Sequence, residues 1–402
     1  MEPQKPSIRP WSPNPWQVVL FGCVLAWALG TLGLAFRPQD VDESLGPPPA
    51  DEPVETSWIE RSVSFQSGGV TLGGVLTLPP GPGPFPAAVV LSGAGAQDRF
   101  GGRDADEART MPAAFSDAGI ALLRTDDRGV GESGGDTSTA SYDDLVADAE
   151  ASMAFLAAQP EIDAQRIGLS GYSQGALIAG LTASRLASDS ADERPAVAFL
   201  ILNSGPGRLG RVSVLEQNAT LLRDEGVPEA TVQEALELMG RALEITMGPP
   251  ESPAVSPGDG ARGQLRPIVR QLRRLRNTNP FGLGDAAPSV EREIDMLLST
   301  AFREALAYDP GPALRRVRCP VLVIHGELDR QVDPTTELPP VEAALAAAPT
   351  DDVTVHLFPG LNHFLEPSAT GHMDEYGLRP RSPEVYRTQA AWIADRFSGD
   401  TL

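Results

Sequence analysis

The chain has 402 residues, a length that fits one large domain with an insertion, or two domains. A hydrophobic content of 41% suffices for a core, while 54 acidic against 32 basic residues give a net charge of -22. This charge argues against sequence-independent binding to nucleic acid, which needs a basic surface. Cys23 and Cys319 lie in unrelated segments, and no cysteine–histidine cluster has zinc spacing, so we expect no disulfide framework and no such metal site. No metal or organic cofactor is implied by the motifs described below.

The N-terminal part of the chain predicts contact with a membrane. A tail, residues 1–15, precedes residues 16–36, and all but two of these 21 residues are apolar or glycine. Such a run is long enough to span a bilayer as a helix, and Lys5 and Arg9 before it orient the N-terminus to the cytoplasm. Small residues at 33–35 keep a cleaved signal peptide open as the alternative. We therefore expect the body in the cell envelope, anchored outside the cytoplasm, or secreted after cleavage.

The following segments predict a layered fold. Residues 37–57 are rich in proline and acidic side chains and predict a flexible tether. Beyond them, apolar strand patterns alternate with helical patterns, which predicts a mostly parallel sheet with helices on both faces. The strand patterns are two segments joined at residues 67–69, and residues 87–91, 120–123, 166–170, 197–202, 321–324 and 353–358. The helical patterns between them are residues 142–159 and 176–186.

One long segment lacks strand patterns. Between residues 205 and 310 the periodicity is helical, interrupted by breakers such as "GPPESPAVSPGDG". We interpret residues 205–310 as a helical cap inserted into a core formed by residues 58–204 and 311–402. The helical patterns of the cap are residues 212–225, 228–247, 264–276 and 290–308.

Two segments match the pattern G-x-S-x-G, one around Ser173 and one around Ser133. A serine hydroxyl is a weak nucleophile unless a base removes its proton and its oxygen is exposed. On a parallel sheet a sharp strand-to-helix turn provides this exposure, with glycines relieving the crowding. Ser173 follows the strand pattern "RIGLSG" and precedes the helical "ALIAGLTASRLA", whereas Ser133 continues into the polar loop "GGDTSTAS". We therefore predict that Ser173 is the nucleophile.

An acid and a histidine are expected after the nucleophile, in that order, in loops at the carboxyl edge of the sheet. Asp329 follows the strand pattern that ends at Gly326, and His363 lies in the loop after the last strand pattern. We predict that these two side chains complete a catalytic triad with Ser173.

The remaining candidates fit this arrangement less well. Glu327 and Asp333 are close to Asp329 and are interpreted as solvated loop carboxylates. The other three histidines are His325 at a strand end, His356 inside a strand, and His372 with no strand to place it.

The oxyanion of an acyl-transfer reaction needs two backbone N–H donors. We expect one from Gln174, the residue after the nucleophile, and the other from Ala94 in the loop "SGAGAQDRF" after the 87–91 strand. A plain glycine turn is the alternative for this loop.

Taken in order, these segments resemble those of the α/β-hydrolases, and more narrowly the bacterial carboxylesterases of the serine-aminopeptidase-like, or lysophospholipase-like, branch. The resemblance extends from about residue 59 to the C-terminus and rests on "SGAGAQDRFG", "LLRTDDRGVGESGG", "IGLSGYSQGA", "HGELDRQVDP" and "LNHFLEP". It implies that Ser133 lies in a structural turn of the family. Ser92 stands where relatives usually have histidine, and Ala176 where they often have glycine.

Three classes of function follow. The first is a serine hydrolase acting on small or acyl-lipid esters; the second is a serine aminopeptidase or an acyltransferase using the same triad. The third is a non-catalytic binding protein, which an intact triad disfavours.

The cap segment "RGQLRPIVRQLRRLRN" carries six arginines at helical spacing. Their simplest role is a solvated helix face that pairs with acidic neighbours, and the alternative is a surface for anionic lipids or an anionic substrate.

Overall fold

The structure is a computed structural model that describes residues 57–101, 107–188, 196–248, 259–277 and 289–397. Its sheet contains β1 (Ile59–Ser67), β2 (Val70–Leu78), β3 (Phe85–Leu91), β4 (Ala121–Thr125), β5 (Ile162–Tyr172), β6 (Leu200–Asn203), β7 (Val321–Gly326) and β8 (Val353–Phe358). The helices of the described residues are α1 (Glu107–Asp117), α2 (Tyr142–Ala157), α3 (Gln174–Ser188), α4 (Gly210–Asp224), α5 (Glu229–Met247), α6 (Asp259–Asn277), α7 (Val290–Leu297), α8 (Thr300–Ala307), α9 (Gly311–Leu314), α10 (Pro334–Ala346) and α11 (Pro383–Phe397).

The strands form one sheet in the order β1-β2-β4-β3-β5-β6-β7-β8. β1 pairs antiparallel with β2, and β2 antiparallel with β4, whereas the six strands from β4 to β8 in this order are parallel. The mostly parallel sheet is thereby confirmed. Because parallel strands share one carboxyl edge, the loops after β3, β5, β7 and β8 all leave the sheet on the same side.

Helices cover both faces of the sheet, because neighbouring residues of one strand pack into different clusters. Val89 of β3 packs with Met153 of α2 and Ala179 of α3. Ala88, the preceding residue, packs with Phe115 of α1 and Ile393 of α11. This alternation is the two-residue period of a strand that is buried on both sides.

Among the helices described between β6 and β7, α4 to α8 bury a hydrophobic cluster of their own. The cluster contains Val214, Leu221, Leu222, Val232, Leu238, Met239, Leu243, Leu265, Ile268, Val269, Leu272, Ile294, Leu297, Phe302 and Leu306. Amphipathic helices that turn their apolar faces inward form a separate packed unit. The boundaries of the cap at 205 and 310 stay a prediction.

The N-terminal segments, residues 1–15, 16–36 and most of 37–57, lie outside the described residues. Within the part of the chain that is described, no helix has both the length and the apolar character needed to cross a bilayer.

Candidate active site

Ser173 occupies the corner between β5 and α3, as the sequence predicts. Its φ of 51° lies in the left-handed region, where a residue with a Cβ is strained by about 1–3 kcal/mol. Two glycines make this corner possible. A Cβ on Gly171 would lie 2.1 Å from the carbonyl oxygen of Gly175, and one on Gly175 would lie 2.5 Å from that of Ser92. The corner therefore requires glycine at both positions of the motif.

The loop after β3 lies against this corner. The carbonyl oxygens of Leu91 and Ser92 approach the backbone of Gly175 closely, so the segment that carries Ala94 begins beside the first turn of α3. Ala94 is half-buried in this loop, and Gln174 is the first residue of α3. This neighbourhood suits two N–H donors for one oxyanion. Their use as an oxyanion hole stays a prediction.

Asp329 and His363 meet at the carboxyl edge of the sheet. His363 Nδ1 lies 2.8 Å from Asp329 Oδ2, and both side chains are buried. The other oxygen, Oδ1, accepts hydrogen bonds from the backbone N–H groups of Gln331 at 2.9 Å and Val332 at 2.7 Å. Because the Asp329 carboxylate accepts a hydrogen bond at Nδ1, it favours the tautomer that carries its proton on Nδ1 and leaves Nε2 unprotonated. This is the form that a general base needs.

Tyr172 connects the serine corner to the histidine loop, and the sequence reasoning did not single it out. Its ring centroid lies 5.4 Å from that of His363, and its hydroxyl donates to the carbonyl oxygen of His363 at 3.2 Å. Arg381 stacks over the Tyr172 ring at 4.7 Å. Because Tyr172 directly precedes Ser173, these contacts hold the two loops together. A hydrogen bond between Ser173 and His363 stays a prediction.

The other histidines occupy different positions. Burial lowers the pKa of His325, so it is neutral at ordinary pH, and its Nε2 contacts the carbonyl oxygen of Gly205 at 3.2 Å. His356 packs against Phe358 on β8, and His372 lies 4.0 Å from Asp224. His363 is thus the histidine that hydrogen-bonds Asp329.

The neighbouring carboxylates also differ from Asp329. Glu327 is exposed, and Asp333 accepts from the backbone N–H of Thr335 as the cap of α10. Neither has the buried position of Asp329.

Ser133, the second serine in a G-x-S-x-G pattern, is part of a buried turn. Its Oγ accepts from the backbone N–H of Gly73 at 2.9 Å and donates to the carbonyl oxygen of Asp126 at 2.8 Å. Both hydrogen-bonding functions of the hydroxyl are thereby used. Arg99 adds a charged bond to Asp126 in the same turn.

Asp127 joins the two ends of the loop that carries Ala94. Its Oδ1 accepts from the Ser92 hydroxyl at 2.6 Å, and its Oδ2 accepts from the backbone N–H of Gln97 at 2.8 Å. Burial raises the pKa of Asp127 to about 7, although the hydrogen bonds from Ser92 and Gln97 act to lower it. The sequence reasoning did not single out Asp127, because its contacts with Ser92 and Gln97 join segments about 30 residues apart.

Three arginines of α6 form ion pairs with acidic side chains of α7. Arg262 pairs with Asp295 at 2.6 Å, Arg266 with Glu291 at 2.7 Å and Arg273 with the buried Glu293 at 2.6 Å. These pairs favour the simpler interpretation of the stripe, a helix face that pairs with acidic neighbours.

Within the described residues, no group of histidine, cysteine, aspartate or glutamate side chains is arranged to hold a metal ion.

A mostly parallel sheet of this order, with a strained serine after β5, is the architecture of the α/β-hydrolase fold. In agreement, the sequence model of the Hydrolase_4 family, serine aminopeptidase S33, matches residues 104–224. This match covers less than a third of the chain and includes the serine corner. No curated protein matches the chain.

Solved structures with a similar course of the chain include several hydrolases. The esterase Pf2001 of Pyrococcus furiosus is 17% identical, with 88% of this chain and 98% of that chain covered and a TM-score of 0.48. Est1E of Butyrivibrio proteoclasticus, solved with ferulic acid, is 15% identical, covering 83% of this chain and 99% of that chain, with a TM-score of 0.46. A 2,6-dihydroxy-pseudo-oxynicotine hydrolase is 16% identical, with 85% of this chain and 69% of that chain covered and a TM-score of 0.45. Sequence identities and TM-scores this low support no inference about the substrate of this chain.

Proposed function

We propose that this protein is a serine hydrolase that cleaves carboxylic esters, small or acyl-lipid, through a covalent acyl-enzyme. The observation that carries the proposal is the buried hydrogen bond between His363 and Asp329, at the same sheet edge as the strained corner of Ser173. A buried carboxylate that orients an imidazole at the sheet edge that also carries the nucleophile corner is the arrangement that activates a hydroxyl for acyl transfer.

The proposed reaction has two halves. His363 takes the proton of Ser173 as its oxygen attacks the ester carbonyl, and the N–H groups of Gln174 and Ala94 bind the oxyanion. The alcohol leaves with the proton from His363. A water molecule, deprotonated by His363, then attacks the acyl-enzyme and releases the acid. Asp329 stabilises the charged imidazole in both halves.

A serine aminopeptidase is the second candidate, and the description of the matching family favours it. An acyltransferase with an acceptor other than water would use the same acyl-enzyme. Ester hydrolysis is placed first because an ester needs only the triad and the oxyanion donors, whereas an aminopeptidase also needs a carboxylate for the substrate amine. A panel of phenyl esters and aminoacyl anilides distinguishes the candidates by kcat/KM.

The proposal is tested with Ser173→Ala in the full chain. We expect this variant to lose p-nitrophenyl butyrate hydrolysis by about 10³-fold or more, because no other group replaces the nucleophile. It also loses labelling by a fluorophosphonate, whereas the unmodified chain is labelled at Ser173.

Ser133→Ala is the matched control. It removes a hydrogen bond to the Gly73 N–H and so costs about 1–2 kcal/mol of stability, but it keeps most of the activity. Full activity of Ser173→Ala, or labelling at Ser133, would overturn the assignment. An unlabelled wild-type chain would favour a non-catalytic binding protein.

A further inference from the structure

The first helix of the cap is attached at both ends to the segment that contains Asp329. Near the start of α4, the Ser213 hydroxyl donates to Glu337 of α10 at 2.8 Å. At its end, Asp224 pairs with Arg330, the residue that directly follows Asp329. These two contacts fasten α4 to the chain that follows Asp329, on the side of the sheet where β7 ends.

Gln217 lies on this face. Ser213, Gln217, Thr220 and Asp224 follow the spacing i, i+4, i+7 and i+11, which places them along one side of a helix. The apolar residues of α4, including Val214 and Leu221, join the cap cluster on another side. Gln217 is thus positioned between the two attachment points, where the cap faces the core.

The side chain of Gln217 is only 4% exposed, and neither its Oε1 nor its Nε2 has a hydrogen-bond partner among the residues that the structure describes. Burying an amide without partners is unfavourable, so such groups generally serve a ligand or ordered water. An amide offers an acceptor and a donor side by side. Its best partner is a group with the same two functions, namely a hydroxyl or another amide.

We propose that Gln217 is a substrate-binding residue, and that the preferred substrate carries a hydroxyl or amide group close to its scissile ester bond. The proposal rests on the ester hydrolysis proposed above and defines the substrate class more closely. A plain alkyl ester would leave the buried amide unpaired, and the site would discriminate against it for that reason.

The experiment compares three phenyl esters in the full chain: the butyrate, the 3-hydroxybutyrate and the N-acetylglycinate. We expect the unmodified protein to give a kcat/KM at least about tenfold higher for one of the two polar esters than for the butyrate. Gln217→Leu should bring this ratio close to one. Gln217→Met, which keeps the length of the side chain, repeats the measurement if the leucine variant fails to fold.

Thr246→Val is the matched control. Thr246 is also fully buried, and its hydroxyl has no partner within the described part of the chain, but it belongs to α5 rather than to this face of α4. This variant should keep the ratio of the unmodified protein. An equal ratio in the unmodified protein and in the Gln217 variants would overturn the inference. If no ester is hydrolysed and Ser173 is not labelled by a fluorophosphonate, the proposed function itself fails.

Discussion

At the scale of single residues, Asp127 determines the shape of the loop that carries Ala94. One carboxylate accepts from Ser92 at the start of the loop and from Gln97 near its end. The Ser92 hydroxyl can donate to an ionised carboxylate or accept from a protonated one, so this contact survives titration. The loop is therefore held by a group whose pKa lies close to neutral pH.

This pKa predicts how stability depends on pH. In the unfolded chain the Asp127 carboxyl titrates near 3.8, whereas in the folded protein its pKa is about 7. Between these values the folded state holds a proton that the unfolded state has lost. The contribution of Asp127 to the free energy of unfolding therefore falls as pH rises from about 4 to 7, and it is constant above pH 7. Asp127→Asn lacks this dependence. We expect the free energy of unfolding of the wild type minus that of Asp127→Asn to fall by about 1–4 kcal/mol over this range.

Urea unfolding of both proteins at pH 4, 5, 6, 7 and 8 measures this difference. Comparing the two proteins at each pH cancels the contributions of the other carboxyl groups. A difference that stays constant from pH 4 to 7 would show that Asp127 is ionised throughout.

At the scale of secondary-structure elements, Glu337 of α10 connects the core to the cap. It is buried and accepts hydrogen bonds from the backbone N–H groups of Gly207 and Arg208, from the Arg208 guanidinium and from the Ser213 hydroxyl. The chain enters the cap at these residues. One carboxylate therefore sets the direction in which α4 leaves the sheet.

Glu337→Ala removes the acceptor of all these donors. We expect a loss of about 3 kcal/mol in the free energy of unfolding, because the buried N–H groups and part of the guanidinium lose their partner. Glu216→Ala is the control, since Glu216 also pairs with Arg208 but its side chain is 52% exposed. It should cost less than about 1 kcal/mol. Equal losses in urea unfolding would contradict the connecting role of Glu337.

At the scale of the whole molecule, the segment 16–36 predicts where the hydrolase acts. An apolar run of this length inserts into a bilayer as an anchor or directs export before its removal. We expect the full chain to sediment with membranes or to appear outside the cytoplasm without its first residues, while residues 58–402 expressed alone stay in the cytosolic fraction. Mass spectrometry of the mature N-terminus separates anchor from signal. A full chain with Met1 intact in the cytosolic fraction would contradict the prediction.

Much of the fold could be predicted because its signals are local. Apolar stretches such as 87–91 and 321–324 are typical of strands buried on both faces, and β3 and β7 lie there. The predicted ends of the elements are less accurate than their positions. A strand can continue through polar residues that lie outside the apolar pattern. β5 begins at Ile162 rather than 166, since Ile162 pairs with Phe85 across a register shift.

The sequence by itself determined which residues are chemically suited to the site. Gly171 and Gly175 mark the corner of Ser173, and the order of strands and loops indicates Asp329 and His363. Only the tertiary structure decided which distant groups touch: Tyr172 with His363, Asp127 with Ser92, and α4 with the segment after Asp329. The physical reason is that the backbone conformation of a segment depends mainly on adjacent residues. Burial and the pairing of polar groups depend instead on segments that meet only when the chain is packed.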